Sequence, residues 1–459
     1  MVLGYLVLIL ALLVVWALGF RLGGYELFAP TSAMPLAMLL GVILAAIGTT
    51  SWNSVALGPS TIAIIFLGTL SFVIGCVFCS EVMLGRGRVF RGYLLERATP
   101  DFGSKSDNAK YWILLVLVIV IAALHMREIM KLGGSSDWTQ FTEVAKRVRY
   151  STSSVFSSQG ISLEDGFPIY DRILSKVRAG IGVVSAAAIP YELVVRRRSM
   201  RQVLPVILTF LVAAAMSLVS GGRGGVVNLA LIMFLSLSLS WQWRDGAKSS
   251  SWRTACWCLF GGVGLAVLFY GMGFVVSRIP SGGVVEYLTF YLGAGVPSLE
   301  KVLDAPLADN GLIGFNTFHD QYYILAKLGL MKNVPAYGSQ FFDLGGHASN
   351  VFTFAYRYYI DFGMPGVVVL SGVSGMCFTL LYRLATKNMH RPAIFFCYCT
   401  IGVLLFDIMR DEKLFAAVLT ANTVVTLALA AMISLWMYDP RTSITKRMIS
   451  ATSWVKETA

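Results

Sequence analysis

The stretch YWILLVLVIVIAALHM, residues 111–126, contains no Asp, Glu, Lys or Arg over sixteen residues. That is too long and too uniformly apolar for a barrel strand, which needs only about 10 residues and alternates in character. Coiled as a helix at about 1.5 Å per residue, it covers most of a hydrocarbon core about 30 Å thick. A backbone in lipid has no water to bond, so it must satisfy its own N–H and C=O groups, and a helix does so.

Similar runs recur along the 459-residue chain, which is 56 % hydrophobic, 14 % charged and has a mean hydropathy of +0.70. They predict an all-α polytopic integral membrane protein, one membrane domain over residues 1–459 with about eleven helices (ten to twelve). The spans expected are 2–20, 32–48, 61–83, 111–126, 179–195, 203–220, 225–241, 254–276, 363–385, 393–409 and 414–438. The first, opening MVLGYLVLIL, lacks the basic n-region of a secretory signal and is read as a retained span.

Basic residues orient the map. With the C-terminus in the cytoplasm, the inside loops 21–31, 84–110, 196–202, 242–253, 383–392 and 439–459 hold 21 Lys and Arg among 88 residues; the longer outside segments hold the other 16. RRRSMR (196–201) and GRGRVFRGYLLER (85–97) are the strongest signals. An odd number of spans then puts the N-terminus outside. The net charge of +12 follows from this inside bias. No basic and aromatic patch on a soluble face suggests nucleic acid as a partner. All seven cysteines fall in expected spans, as small thiols packed between helices.

Two outside segments are long, 127–178 and 277–362, and the second is rich in aromatic residues. Loops of this length are usually functional. Three polar groupings stand out. In SGGRGG (220–225), Arg223 lies where one span turns into the next, with glycines that let a ligand approach the backbone. The planar fork of Arg suits phosphate; a snorkelling surface Arg is the plainer reading. In YDRILSKVRAG (170–180), Arg172 and Lys176 share a helix face and Arg178 lies at the membrane edge, a set that suits an anionic headgroup or ordinary interface anchoring.

The third grouping is HASNVFTFAYRYYIDFGMPG (347–366). Coiled as a helix, it puts Asn350, Thr353, Arg357 and Asp361 on one stripe, with Arg357 and Asp361 able to pair. Tyr356 and its aromatic neighbours run between them. Hydroxyl-binding groups mixed with aromatic rings suit a sugar; an interfacial aromatic belt is the alternative. Candidates for a general base are His319 beside Asp320, His347, and RDEK (410–413) with Arg410. Asp407 and Glu81 are acids within spans, Asp407 within reach of Arg410. P-loop, H-E-x-x-H, G-x-S-x-G and D-x-D motifs are absent, so no metal or other cofactor is expected.

These features resemble the bacterial oligosaccharide repeat-unit polymerases, the Wzy or O-antigen polymerase group. The likeness rests on SGGRGG joining two spans, on the long loop one span later, and on that loop's ending G-x-x-S-N-V-F-T-F-x-Y-x-Y-Y-I-D-F-G-x-x-G (346–366). By topology it covers most of the chain, by motif about 30 residues. It implies a GT-C-like membrane glycosyltransferase in the bacterial inner membrane with its active site facing the periplasm. Such an enzyme moves a growing glycan from an undecaprenyl-diphosphate carrier onto another lipid-linked repeat unit, without a metal.

The implied partners are the undecaprenyl-diphosphate-linked oligosaccharide, membrane lipids and a chain-length regulator protein. Arg223 matches the family's arginine between spans; Asn350, Thr353, Asp361, Gly363 and Gly366 match its loop motif. Arg357 and the 172–178 cluster are added here from position alone. An O-antigen ligase, which needs a catalytic His in the long loop, and a lipid-linked oligosaccharide flippase or transporter, which predicts inverted repeats, remain as alternatives.

The orientation is open to direct test. A single cysteine at position 320 is expected to react with an impermeant thiol reagent in intact spheroplasts, and one at position 200 only after permeabilisation. The reverse pattern inverts the map.

Overall fold

The computed structural model describes residues 2–49, 55–83, 108–141, 143–145, 148, 167–219, 223–245, 256–257, 260–264, 266–267, 269–272, 283–304, 311–332, 334–335, 341–345 and 348–438. Helix dominates: α1 Val2–Leu22, α2 Pro30–Gly48, α3 Pro59–Phe78, α4 Asn108–Leu132, α5 Ile169–Pro190, α6 Met200–Val219 and α7 Arg223–Asp245. Three short helices follow in the long second segment: α8 Val284–Gly293, α9 Gly295–Asp304 and α10 Phe315–Lys327. The last three are α11 Ala355–Lys387, α12 Pro392–Gly402 and α13 Ala421–Tyr438. A two-residue hairpin pairs β1 (Phe342–Asp343) with β2 (Ala348–Ser349).

Among the described residues, nine helices are long and apolar enough to cross a membrane. They match nine of the eleven expected spans. The two others, 393–409 and 254–276, correspond to the shorter apolar helices Pro392–Phe406 and Phe260–Met272, the latter described only in part. Three spans extend further than hydropathy suggests. α4 runs on to Leu132, α5 starts at Ile169 rather than 179, and α11 starts at Ala355 rather than 363. In each the added turns carry charged residues, which end an apolar run without ending a helix.

The helices face two environments. On α1, Leu3, Leu6, Val7, Leu10, Leu13, Val14 and Leu18 are exposed while Tyr5, Leu8, Leu12 and Val15 are buried. α4 divides the same way, Val116, Ile119 and Val120 outward and Leu115, Val118 and Ile121 inward. Exposed apolar stripes of this length belong against lipid.

The chain forms two compact units. The first comprises 1–94, 245–384 and 401–424; the second comprises 95–244, 385–400 and 425–459. In the first, α2 is the most enclosed element and packs on α1, α3, α8 and α9. Lipid gives apolar side chains little reason to leave it, so helices join where small residues let backbones meet. α3 and α11 do so: a Cβ on Gly75 would lie 2.0 Å from the Gly372 carbonyl oxygen, and one on Gly375 2.1 Å from that of Phe72.

In the second unit α5 is central, with every residue from Gly180 to Pro190 buried. Its small residues admit neighbours: a Cβ on Gly182 would sit 3.2 Å from Ala213 and 3.5 Å from Leu229. At the other end of this unit, Glu192 is fully buried, accepts from Arg196 (3.3 Å) and forms an ion pair with Arg198 (3.0 Å). Part of the basic run 196–201 is thereby a structural lock as well as a topological signal. Lys110 donates to the Trp436 carbonyl (2.9 Å), closing the last turn of α13.

Gly75→Leu and Gly375→Leu are each expected to drive a side chain into a carbonyl and reduce the monodisperse, detergent-extracted fraction several-fold by size-exclusion chromatography. Gly372→Ala, whose Cβ would meet the Ser71 oxygen at an ordinary 3.6 Å, is expected to extract like the wild type.

Candidate functional site

In the first unit the segment 350–366 is not one surface helix. Residues 351–353 are extended, and their backbone pairs with the chain after α12: Phe352 N–H donates to the Arg410 carbonyl and Phe354 N–H to that of Ile408, both at 3.1 Å. Helix begins at Ala355, so Asn350 and Thr353 do not share a helical stripe with Arg357 and Asp361. Asn350 is exposed. Thr353 is fully buried with no hydrogen-bond partner for its hydroxyl among the described residues. Tyr356 is buried and stacks on Phe352 with ring centroids 4.2 Å apart.

α11 breaks at Gly363, where φ 63° and ψ −157° suit only glycine and Pro365 removes a ladder donor. The break sets residues 355–362 apart as a short outer piece, and its polar side chains hold the neighbouring loops. Asp361 accepts from Asn316 N–H (3.2 Å), Asn316 Nδ2 (2.9 Å) and Thr317 N–H (2.6 Å), so it caps the start of α10. A carboxylate at a helix N-terminus meets both free donors and the positive end of the helix dipole.

Arg357 holds the same turn from its carbonyl side, donating from Nη1 to Asn316 O (2.8 Å). The expected pairing of Arg357 with Asp361 is replaced by a two-pronged bond to Asp411, Nε to Oδ1 and Nη2 to Oδ2, both 2.7 Å. The side chains at i and i+4 each find a better partner across the loop: the fork matches a carboxylate and the carboxylate matches a helix start.

Glu412 repeats the capping device. It is 2 % exposed, accepts from the N–H groups of Leu414, Phe415 and Ala416, and receives the Tyr358 hydroxyl at 2.7 Å. Burial pushes its carboxyl above the usual range while the backbone donors pull it back. Asp407 takes Arg410 (3.3 Å), as expected, and also Lys413 (2.9 Å). Arg410 keeps a buried Nε without a partner among the described residues. His319 lies against Phe315 and Tyr323, and burial, with the Arg357 charge adding, pushes it down to about 4. It is therefore neutral near pH 7, and its 3.7 Å approach to Asp320 is not an ion pair. His347 lies outside the described residues.

In the second unit the candidate cations gather at the start of α5. Arg172 and Lys176 are half-buried and Arg178 is buried. Arg178 Nη2 reaches Ser175 Oγ (3.4 Å), while Nη1 has no partner among the described residues. α7 runs parallel to α5, with Leu229 beside Gly182 and Ser236 Oγ donating to the Ala187 carbonyl (2.7 Å). Counting back six residues on each helix, about 9 Å of rise, sets the first residue of α7, Arg223, level with Lys176. The Arg223 side chain lies outside the described residues.

Sequence reading missed Asn316, Thr317, Asp411 and Glu412 as the partners that hold the loops, and it missed His125. Asp411 and Glu412 were singled out only as general-base candidates within RDEK (410–413), and nothing local marks the cross-loop pairings of the four, whose partners there lie 41–54 residues away. His125 carried a signal, being a polar ring in an otherwise apolar run. No set of His, Cys, Asp and Glu that could hold a metal occurs among the described residues. No family model, curated protein or solved structure matches this chain.

Asp361→Ala strands three donors and is expected to lower stability by about 1–3 kcal/mol, with Asp361→Asn milder. Thermal unfolding of the detergent-purified protein measures both, and an unchanged transition in Asp361→Ala removes the capping role.

Proposed function

We propose that this protein is a membrane glycosyltransferase that polymerises lipid-diphosphate-linked oligosaccharide repeat units. The glycan leaves its undecaprenyl-diphosphate carrier and joins the end of another carrier-linked unit. The observation that carries this reading is the buried Arg178, whose Nη1 donor is unused among the described residues, on the same two turns as Arg172 and Lys176 and near the level at which α7 opens with Arg223. A buried guanidinium N–H left unpaired is costly to maintain. A diphosphate satisfies it, and several cations in one place match its roughly two negative charges.

The leaving group in such a transfer is the lipid diphosphate, whose charge grows as the sugar–oxygen bond breaks. Donors already in place stabilise that charge without a metal. The structured second segment, held by Asp361, Arg357 and Glu412, supports the same reading, because a glycan acceptor needs a fixed surface to lie on. Exposed Asn350 and half-buried Arg410 are the polar groups there suited to sugar hydroxyls.

Deleting the gene in the native host and running the surface glycan on a gel tests the reading. Collapse of the ladder to a single repeat unit is the expected outcome. Polymer that is still made but absent from lipid A identifies a ligase, and an unchanged ladder overturns the proposal. Complementation then tests the arginine: Arg223→Lys, which keeps charge but loses the fork, is expected to cut polymer strongly at normal protein level, and Arg223→Ala to lose about 10²–10³ in rate.

A further inference from the structure

His125, near the end of α4, makes an arrangement that the function above leaves unused. Its Nδ1 lies 3.1 Å and 2.9 Å from the two carboxylate oxygens of Asp171 on α5. A carboxylate only accepts, so Nδ1 carries the proton and Nε2 presents its lone pair. The pair is buried, with side chains 8 % and 2 % exposed, and the ring stacks on Phe167 at 5.3 Å. Nε2 is itself buried and has no partner among the described residues.

Arg178 completes the group. It lies seven residues after Asp171, on the same face of α5, and its Nη2 turns back to Ser175 one turn nearer Asp171. Two buried nitrogens, a lone pair on His125 Nε2 and an N–H on Arg178 Nη1, are thus both unsatisfied by the described residues at one end of one helix pair. A structural ion pair needs neither. A reaction that takes a proton from one partner and leaves negative charge on the other needs both.

We propose that His125 is the general base of the glycosyl transfer, with Asp171 as the residue that positions it and Arg178 as the donor to the leaving group; this rests on the function proposed above. The acceptor sugar's hydroxyl oxygen attacks the anomeric carbon of the donor glycan, forming the new C–O bond. Its proton passes to His125 Nε2, and the imidazolium is stabilised by Asp171. The bond from the anomeric carbon to the diphosphate oxygen breaks, and its electron pair leaves with the lipid diphosphate, whose new charge takes the Arg178 Nη1 hydrogen bond. The proton then passes from His125 to water.

The charged groups around His125 are few. α5 offers Asp171 and Arg178, with Arg172 and Lys176 on the same two turns. α4 itself offers Arg127 and Glu128, the latter accepting from Lys131 at 2.6 Å. The segment whose Val144 packs on Ile129 offers Glu143, which is exposed. α6, which also packs on α4, has one charged residue, Arg201, at its opposite end.

The test uses purified full-length protein in lipid nanodiscs with undecaprenyl-diphosphate-linked repeat unit as substrate, following polymer formation against pH. In the wild type, activity is expected to fall on acidification as His125 protonates. His125→Gln keeps a bond to Asp171 but is a far weaker base. Its kcat is expected to fall about 10²–10⁴-fold, with KM within a few-fold and the acidic limb gone. Asp171→Asn, which frees the tautomer, is read the same way and serves if His125→Gln does not fold.

Loss of substrate affinity with the acidic limb intact marks a structural pair and overturns the proposal, as does a folded His125→Gln at wild-type rate. A wild type that makes no polymer overturns the function itself and this inference with it. A wild type that makes polymer alongside an equally active His125→Gln overturns this inference alone.

Discussion

Backbone hydrogen bonding without water is the constraint on which the rest of this structure rests. Within the spans, helical ladders answer it. At helix ends, where four donors or four acceptors are left over, side chains answer it, and these are the charged residues the sequence retains. Asp361 takes the first N–H groups of α10, Glu412 those after residue 413, and Lys110 a last carbonyl of α13. Arg357, Glu192, Arg196 and Arg198 fall into place as partners of these ends or of one another. Several charges among the described residues are thus concentrated where backbone would otherwise be stranded.

That concentration divides the polar groups into two kinds. In the first unit the acids of the motif-like segment and of RDEK (410–413) are occupied: Asp361 by three donors, Glu412 by three backbone N–H groups and a tyrosine, Asp411 by the Arg357 fork. Their work is to hold a long segment in one shape. In the second unit the ends of α4 and α5 hold groups that no other described residue satisfies, His125 Nε2 and Arg178 Nη1. Residues that look catalytic in sequence can be scaffolding, and an unremarked histidine in an apolar run can hold the reactive lone pair.

Hydropathy was enough to place the long helices, because lipid imposes one test on every residue between Pro59 and Phe78 or Tyr111 and Met126. It failed at their outer ends. Residues 169–178 and 355–362 are helical yet polar, so the apolar signal stopped a few turns early. The position of Gly363 was readable from G-M-P-G, since φ above zero and a missing N–H belong to those residue types. The partners of Arg357 were not readable. A helical spacing makes Asp361 a candidate, while Asp411 is 54 residues away and is delivered by the turn after α12. The same holds for His125 and Asp171, 46 residues apart on two helices. Spacing along one helix predicts neighbours; it cannot weigh them against a partner brought in by the fold.

The glycine crossing of α3 and α11 has a mechanical consequence. Joined backbone to backbone at Gly75 and Gly375, the two helices have no side-chain layer between them to rearrange, so no rotamer change can absorb a shift at that point. The crossing acts as a fixed pivot within the span. Gly363 lies twelve residues nearer the outer piece than Gly375, about 18 Å along the axis, and is where the ladder is already open. A thinning or thickening bilayer is therefore expected to tilt residues 355–362, and the loops they carry, more than the crossing below Gly363.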